Sequence, residues 1–365
     1  MAEIDFNSYL NRQIVDLSLN NITNVGIGAF YFNSAIKTVN LPNCINVSSS
    51  AFQQCSSLSS LNLPKILKVG GYAFYACRDL TTASFPKCKT VAEWAFYACS
   101  NLSSVYLPNC TLLSASAFAS CYSLSSVTLG GVTSIPSYAF NNCSALTQFD
   151  FTNITYIDQW AFSGTGFTSI DLPKCSWVGY GAFGRCYSLK TVNLGSSVKT
   201  LSYYAFQQCS SLYSINLDNI TSMGASVFYG CYSLSSVYLP VCSSIGSYAF
   251  AYCSNLSLVS LPVLSILPSY FAPSAAISYL YIDNVTRLSS SAFYYMKSLK
   301  AVYIRSVSSV PTAYTYTFSY SPLVSTSSAY NTDGTYASIY VPASLYASFT
   351  TAAYWSTISA RLVSI

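Results

Sequence analysis

Histidine is absent from all 365 residues, and only two glutamates occur, Glu3 and Glu93. Without imidazole there is no His general base and no Ser-His-Asp or Cys-His nucleophile system, and most zinc sites are excluded. Glycine-rich phosphate loops are missing as well. A paired-carboxylate hydrolase would have to run on aspartates, and Asp150 and Asp171 are the pair that the spacing brings to mind. Two such carboxylates on adjacent coils would repel unless a cation lay between them. Their open readings are a weak Ca²⁺ or ligand cation, or two separately solvated side chains. The ingredients predict a non-catalytic protein without a cofactor or a dedicated metal centre.

The fourteen cysteines follow two rules of spacing. Cys55, Cys77, Cys99, Cys121, Cys143, Cys186, Cys209, Cys231 and Cys253 each lie three residues after a phenylalanine. Cys44, Cys88, Cys110, Cys175 and Cys242 lie eight residues before the next one. Neither pattern is a CxxC metal motif. Ile66, Val132, Thr165 or Met296 fills the same columns where Cys is missing. The columns therefore ask for a small or medium buried side chain, and a ladder of free thiols serves as one. Disulfides between neighbouring coils are the alternative, since the coil spacing falls within the permitted Cα range.

Tyrosine is the residue in excess, with 33 copies. Tyr106, Tyr238, Tyr281, Tyr303 and Tyr340 occupy outward strand positions, with Tyr279 two residues before Tyr281. Others flank the recurrent phenylalanine, such as Tyr72, Tyr138, Tyr75 and Tyr97. Rows of rings stabilise a stack of strands, and Tyr also gives a binding surface wide contact area at low entropy cost. Tyr279, Tyr281 and Tyr303 are expected to cluster on adjacent coils as the main binding patch. Tyr106, Tyr238, Tyr340, Asp150 and Asp171 complete the candidate set.

What positions these side chains is an internal repeat. Phenylalanine, mostly in an Ala-Phe pair, recurs from Phe30, Phe52 and Phe74 through Phe293 to Phe318, fourteen times at intervals of 21 to 25 residues. Apolar residues follow it at six, nine and eleven positions, as in Leu102, Val105 and Leu107. Another aliphatic column precedes it by five, as in Val69, Val91 and Ile135. The V-x-L alternation has period two, so these side chains point inward and their neighbours face solvent. One such unit cannot bury its own apolar edge, but stacked units share a continuous core with ladders about 4.8 Å apart.

These columns resemble the BspA-type (treponemal-type) leucine-rich repeats of bacterial surface proteins. Leu234-Ser235-Ser236-Val237-Tyr238-Leu239-Pro240 runs into Ile245-Gly246-Ser247-Tyr248-Ala249-Phe250 and then Cys253, close to the family pattern L-x-x-V-x-L-P, Ile-Gly-x-x-Ala-Phe, Cys. The resemblance implies a curved, β-rich leucine-rich-repeat solenoid of about fourteen coils of about 22 residues. It also implies adhesion or ligand binding through the strand face. Residues 1–13 are expected to form an N-terminal cap, 14–321 the repeats, and 322–365 a C-terminal capping segment. In that segment Ile339-Tyr340-Val341-Pro342 reads as a last strand, and 324–338 as an inserted surface turn. Ser344 is placed to cap a short helix carrying Leu345, Phe349, Ala352 and Leu362 on one stripe.

Charged residues make up only 7% of the chain while 52% are hydrophobic. No Lys/Arg run is present, so nucleic acid is not an expected partner despite the net charge of +5. No apolar stretch reaches the roughly 18 residues of a spanning helix, so membrane insertion is not expected. The start, Met1-Ala2-Glu3-Ile4-Asp5, has neither the basic nor the apolar part of a signal peptide. The expected role is a cell-surface or extracellular scaffold recognising a protein or glycan, its leader removed or its export by another route. A structural or receptor-binding component of a phage tail or similar particle is the alternative.

Overall fold

Strands in this protein are short because only the V-x-L part of each repeat alternates, and each pairs in parallel with the same part of the next repeat. The computed structural model describes residues 2–4 and 14–365. Most of the expected N-terminal cap, 1–13, lies outside the described residues. Ala2–Ile4 is a strand pairing in parallel with Ile22–Val25. The chain divides into two compact units, Met1–Thr168 and Ser169–Ile365.

In the first unit one parallel sheet carries the V-x-L strands Asp16–Ser18, Thr38–Asn40 and Ser60–Asn62. A second carries Thr82–Ser84, Ser104–Leu107 and Ser126–Leu129. Shorter strands such as Asn46–Val47, Lys68–Val69 and Thr90–Val91 make the other wall. Register keeps each column aligned: Val105 pairs with Val127, and Val69 with Val91. The anchor rings stack between coils, with centroids 5.5 Å apart for Phe52 and Phe74 and 5.3 Å for Phe96 and Phe118. All of these rings are fully buried.

One coil of this unit departs from its column. Phe149 and Phe151 replace the aliphatic strand residues and pack against Phe140 and Phe162. The stretch 147–150 forms no strand, so Asp150 sits in irregular backbone rather than at the expected strand position. Rings thus crowd this coil where the coil before it places Val127 and Leu129.

The second unit repeats the plan. Ser169–Leu172, Thr191–Leu194 and Ser214–Ile215 form one parallel sheet. Ser236–Tyr238, Leu258–Ser260, Tyr279–Tyr281, Ala301–Tyr303, Ser338–Val341 and Leu362–Ser364 form another, in that order. Between the fourth and fifth of these strands the chain makes an excursion. Within it Asn331 Oδ1 accepts the backbone N–H groups of Asp333 and Gly334, closing the turn.

The C-terminal helix is real but shorter and differently held than expected. It spans Tyr346–Thr351, between 3₁₀ turns at Ala343–Leu345 and Trp355–Arg361. Ser344 caps nothing, and Leu362 belongs to the edge strand rather than to the helix. Trp355 supplies the anchor instead: it is buried, packs edge-on to Phe318 and Phe349, and donates its indole N–H to the Pro311 carbonyl at 2.7 Å.

Candidate functional site

The coils turn at the anchor Phe, mostly in an Ala-Phe pair, through two left-handed residues that flank it. Ser50, Tyr72 and Trp94 have φ of 57°, 56° and 56°, and Gln54, Ala76 and Ala98 have 60°, 55° and 57°. Each sends its amide to the next coil: Tyr72 N–H donates to the Glu93 carbonyl at 3.0 Å, and Ala76 N–H to that of Tyr97 at 2.8 Å. Glycine suits this backbone best, and Gly28 and Gly181 take it at the first position. Most coils carry larger residues there, and the inter-coil hydrogen bonds hold them in place.

The thiols are core, and they do more than fill space. No disulfide links any of the fourteen, and all are buried. Cys55, Cys77, Cys99, Cys121 and Cys143 each donate S–H to the Phe carbonyl of the preceding coil at 3.1 Å. Cys209 does the same to Phe183, and Cys231 to Phe206. The second series turns to a carbonyl two residues onward, as Cys88 does to Thr90 at 3.3 Å. Burial pushes the thiol of Cys55, Cys143 and Cys253 up to about 12. A thiol so buried stays protonated near neutral pH, the form that neither attacks nor ligates readily.

On the strand face of the second unit the structure brings together Tyr281, Tyr303 and Tyr340. Their register pairs Tyr281 with Tyr303 and Tyr303 with Tyr340. The rings stack at 4.5 Å and 4.8 Å, within 12° of parallel. Tyr279 lies on the same strand as Tyr281, paired with Ala301, and is exposed. Desolvation, then the neighbouring hydroxyls of Tyr281, Tyr340 and Tyr279, raises the Tyr303 phenol, while Arg305 opposes them.

Sequence reasoning missed Arg305. Its guanidinium lies 5.2 Å from the Tyr281 ring centroid and 6.0 Å from that of Tyr303. Two hydrogen bonds to Asp283, at 2.8 Å and 2.6 Å, hold it there. Asp283 and Arg305 are separated by one repeat length, and that spacing was the available signal.

The other candidates stand alone. Tyr106 is flanked across the ladder by Ser84 and Thr128, and Tyr238 by Ser260. Asp150 belongs to the first unit and Asp171 to the second, and each is engaged within its own. Asp150 accepts the Thr152 amide at 2.9 Å, and Asp171 accepts the Asn193 side-chain amide at 2.8 Å. Hydrogen bonds from Thr152 hold the Asp150 carboxyl below the usual range. Among the described residues no three Cys, Asp or Glu side chains gather as a metal site, and no helix is long and apolar enough to cross a membrane.

Comparison with known proteins agrees with this geometry. The family of the BspA type leucine rich repeat region matches residues 2–125, 68–186, 133–257 and 221–336. A leucine-rich cell surface protein from Faecalibacterium prausnitzii is similar in structure, with a TM-score of 0.50 at 22% identity, over 76% of this chain and 79% of that one. A leucine-rich repeat protein from Bacteroides ovatus has a TM-score of 0.51 at 20% identity, over 84% and 92%. The pneumococcal vaccine antigen PcpA has a TM-score of 0.51 at 18% identity, over 96% and 77%. No curated protein matches the chain. Repeat columns, parallel ladders and family match coincide along the chain, which belongs to the BspA-type leucine-rich repeat family.

Proposed function

We propose that the protein is a non-catalytic scaffold of the cell surface that recognises a protein or glycan through the strand face of its second unit. The observation that carries this reading is the stacked row Tyr281, Tyr303 and Tyr340 with Tyr279 beside it and Arg305 laid across two of the rings. The parallel stacking turns the ring faces toward one another, so the row presents edges and hydroxyls to a partner. Such a comb donates and accepts hydrogen bonds at strand spacing while staying rigid, which keeps the ordering cost of binding low. Similarity to a bacterial cell surface protein supports the proposed location.

Replacing Tyr281 and Tyr303 together by Ala is the test. Against a glycan array and immobilised host-matrix proteins, binding is expected to weaken about tenfold or more, the scale of losing one hot-spot cluster. The melting temperature should fall little, because both rings are only half-buried on the surface. Unchanged binding to a ligand of the wild-type chain would exclude this face.

A further inference from the structure

Four successive bends of the first unit enclose a groove of about 870 Å³ that includes none of the strand-face residues. Tyr31 and Phe32 stand on one coil, Gln54 on the next, then Tyr75 with Ala76, then Tyr97 with Ala98. The ladder fixes this order: Phe32 N–H reaches the Gln53 carbonyl, Gln54 N–H that of Tyr75, and Ala76 N–H that of Tyr97. Its volume falls in the range of small-ligand sites.

The left-handed position two residues after the anchor Phe varies in size between coils, from Tyr252, Tyr295 and Tyr320 down to Ser120, Gly164 and Gly230, and two successive coils here carry Ala76 and Ala98. Small side chains there leave the Tyr75 and Tyr97 rings, stacked at 5.1 Å, as one side of the space. Tyr31 and Phe32, edge to face at 4.5 Å and both exposed, stand two coils before Tyr75. Uncharged hydrogen-bonding groups, Gln54, Ser34 and Ser56, lie among the rings. Arg78 is the one charged residue of the lining.

We infer that this groove binds an anionic oligosaccharide. Aromatic rings alternating with hydroxyl and amide groups suit a ligand whose C–H faces alternate with hydroxyls. The guanidinium of Arg78 matches one carboxylate in bidentate fashion, which gives the site its preference for acidic over neutral sugars. The site is separate from the strand-face reading and does not depend on it.

Titration calorimetry on the full chain tests this with 3′-sialyllactose and trigalacturonate as probes, lactose as the neutral sugar and hexaglutamate as a non-sugar anion. At least one acidic sugar is expected to bind saturably, with lactose and hexaglutamate about tenfold weaker or more. Arg78→Gln should remove that preference, and Arg78→Lys should restore part of it. Ala76→Tyr, which installs the residue other coils carry at this position, should fill the groove and abolish binding. The Tyr281→Ala/Tyr303→Ala chain should bind the acidic sugar as before. The inference is overturned if neither acidic sugar binds, if hexaglutamate binds as well as they do, or if Arg78→Gln and Ala76→Tyr leave binding unchanged. Loss only in the Tyr281→Ala/Tyr303→Ala chain would likewise place the sugar on the strand face instead.

Discussion

Single residues reveal how the fold uses its unusual composition. The cysteine ladders lock neutral thiols against backbone carbonyls, and burial raises Cys88 to about 12 as it does Cys55. Folding therefore favours the protonated thiol, and in the unfolded chain these groups ionise near pH 8.5. The stability they contribute is complete below that pH and is lost as pH climbs toward 12. Each thiol held in this way costs about 1.4 kcal/mol per pH unit above its unfolded value. Several acting together should make the melting temperature drop steeply above about pH 9. A flat melting temperature from about pH 8 to about pH 10 would contradict this. At the same scale, burial of the thiols was legible from their fixed distance to Phe, whereas their acceptor carbonyls were not. Cys55 reaches back to Phe30 across a coil boundary, and only the stacked backbone shows which oxygen lies there.

The bend is the element that sequence described least well. Ala-Phe pairs marked its place, yet nothing in Ser50, Tyr72 or Trp94 announces a left-handed backbone, because the usual signal is glycine. The conformation is imposed by amides that must reach the next coil. Relief of this strain should therefore stabilise the protein. A Cβ in left-handed backbone costs about 1–2 kcal/mol, and glycine returns about 0.5–1 kcal/mol of that in unfolded-state entropy. Ala98→Gly is expected to raise stability by about 0.5–1 kcal/mol in urea unfolding, against the usual penalty for introducing glycine. Destabilisation by this substitution would show that the bend is not strained. The C-terminal element teaches a related lesson. The apolar stripe suggested one helix through Leu362, but Trp355 finds the Pro311 carbonyl and the path divides into a short helix, a 3₁₀ turn and an edge strand.

Across the whole molecule, charge contributes little to stability. Among the described residues the ion pairs are Lys300 with Asp333 at 3.5 Å and Arg305 with Asp283 at 2.6 Å, and both cations are about half exposed. An exposed pair such as Lys300 with Asp333 adds about 0–1 kcal/mol and is screened by salt, whereas burial of Asp283 shields the second pair from salt. Raising NaCl from about 0.05 M to about 0.5 M should therefore move the melting temperature by only a few degrees. A large fall would point to ionic contacts that the structure does not show. Hydrophobic columns repeated at fixed intervals were enough to determine the family, the parallel coils and the buried sets of Phe, Cys and Val, because a coil that cannot bury its own edge must stack in register. The surface was not determined in this way. Tyr340 follows Tyr303 by far more than one repeat, and it joins the aromatic row only because 304–337, a coil with extra residues inserted, returns the next strand to register. Arg78, Ala76 and Phe32 likewise meet around one groove only when successive bends are laid side by side. Core positions obey a period that can be read along the chain, whereas outward side chains acquire their neighbours from the stacking itself.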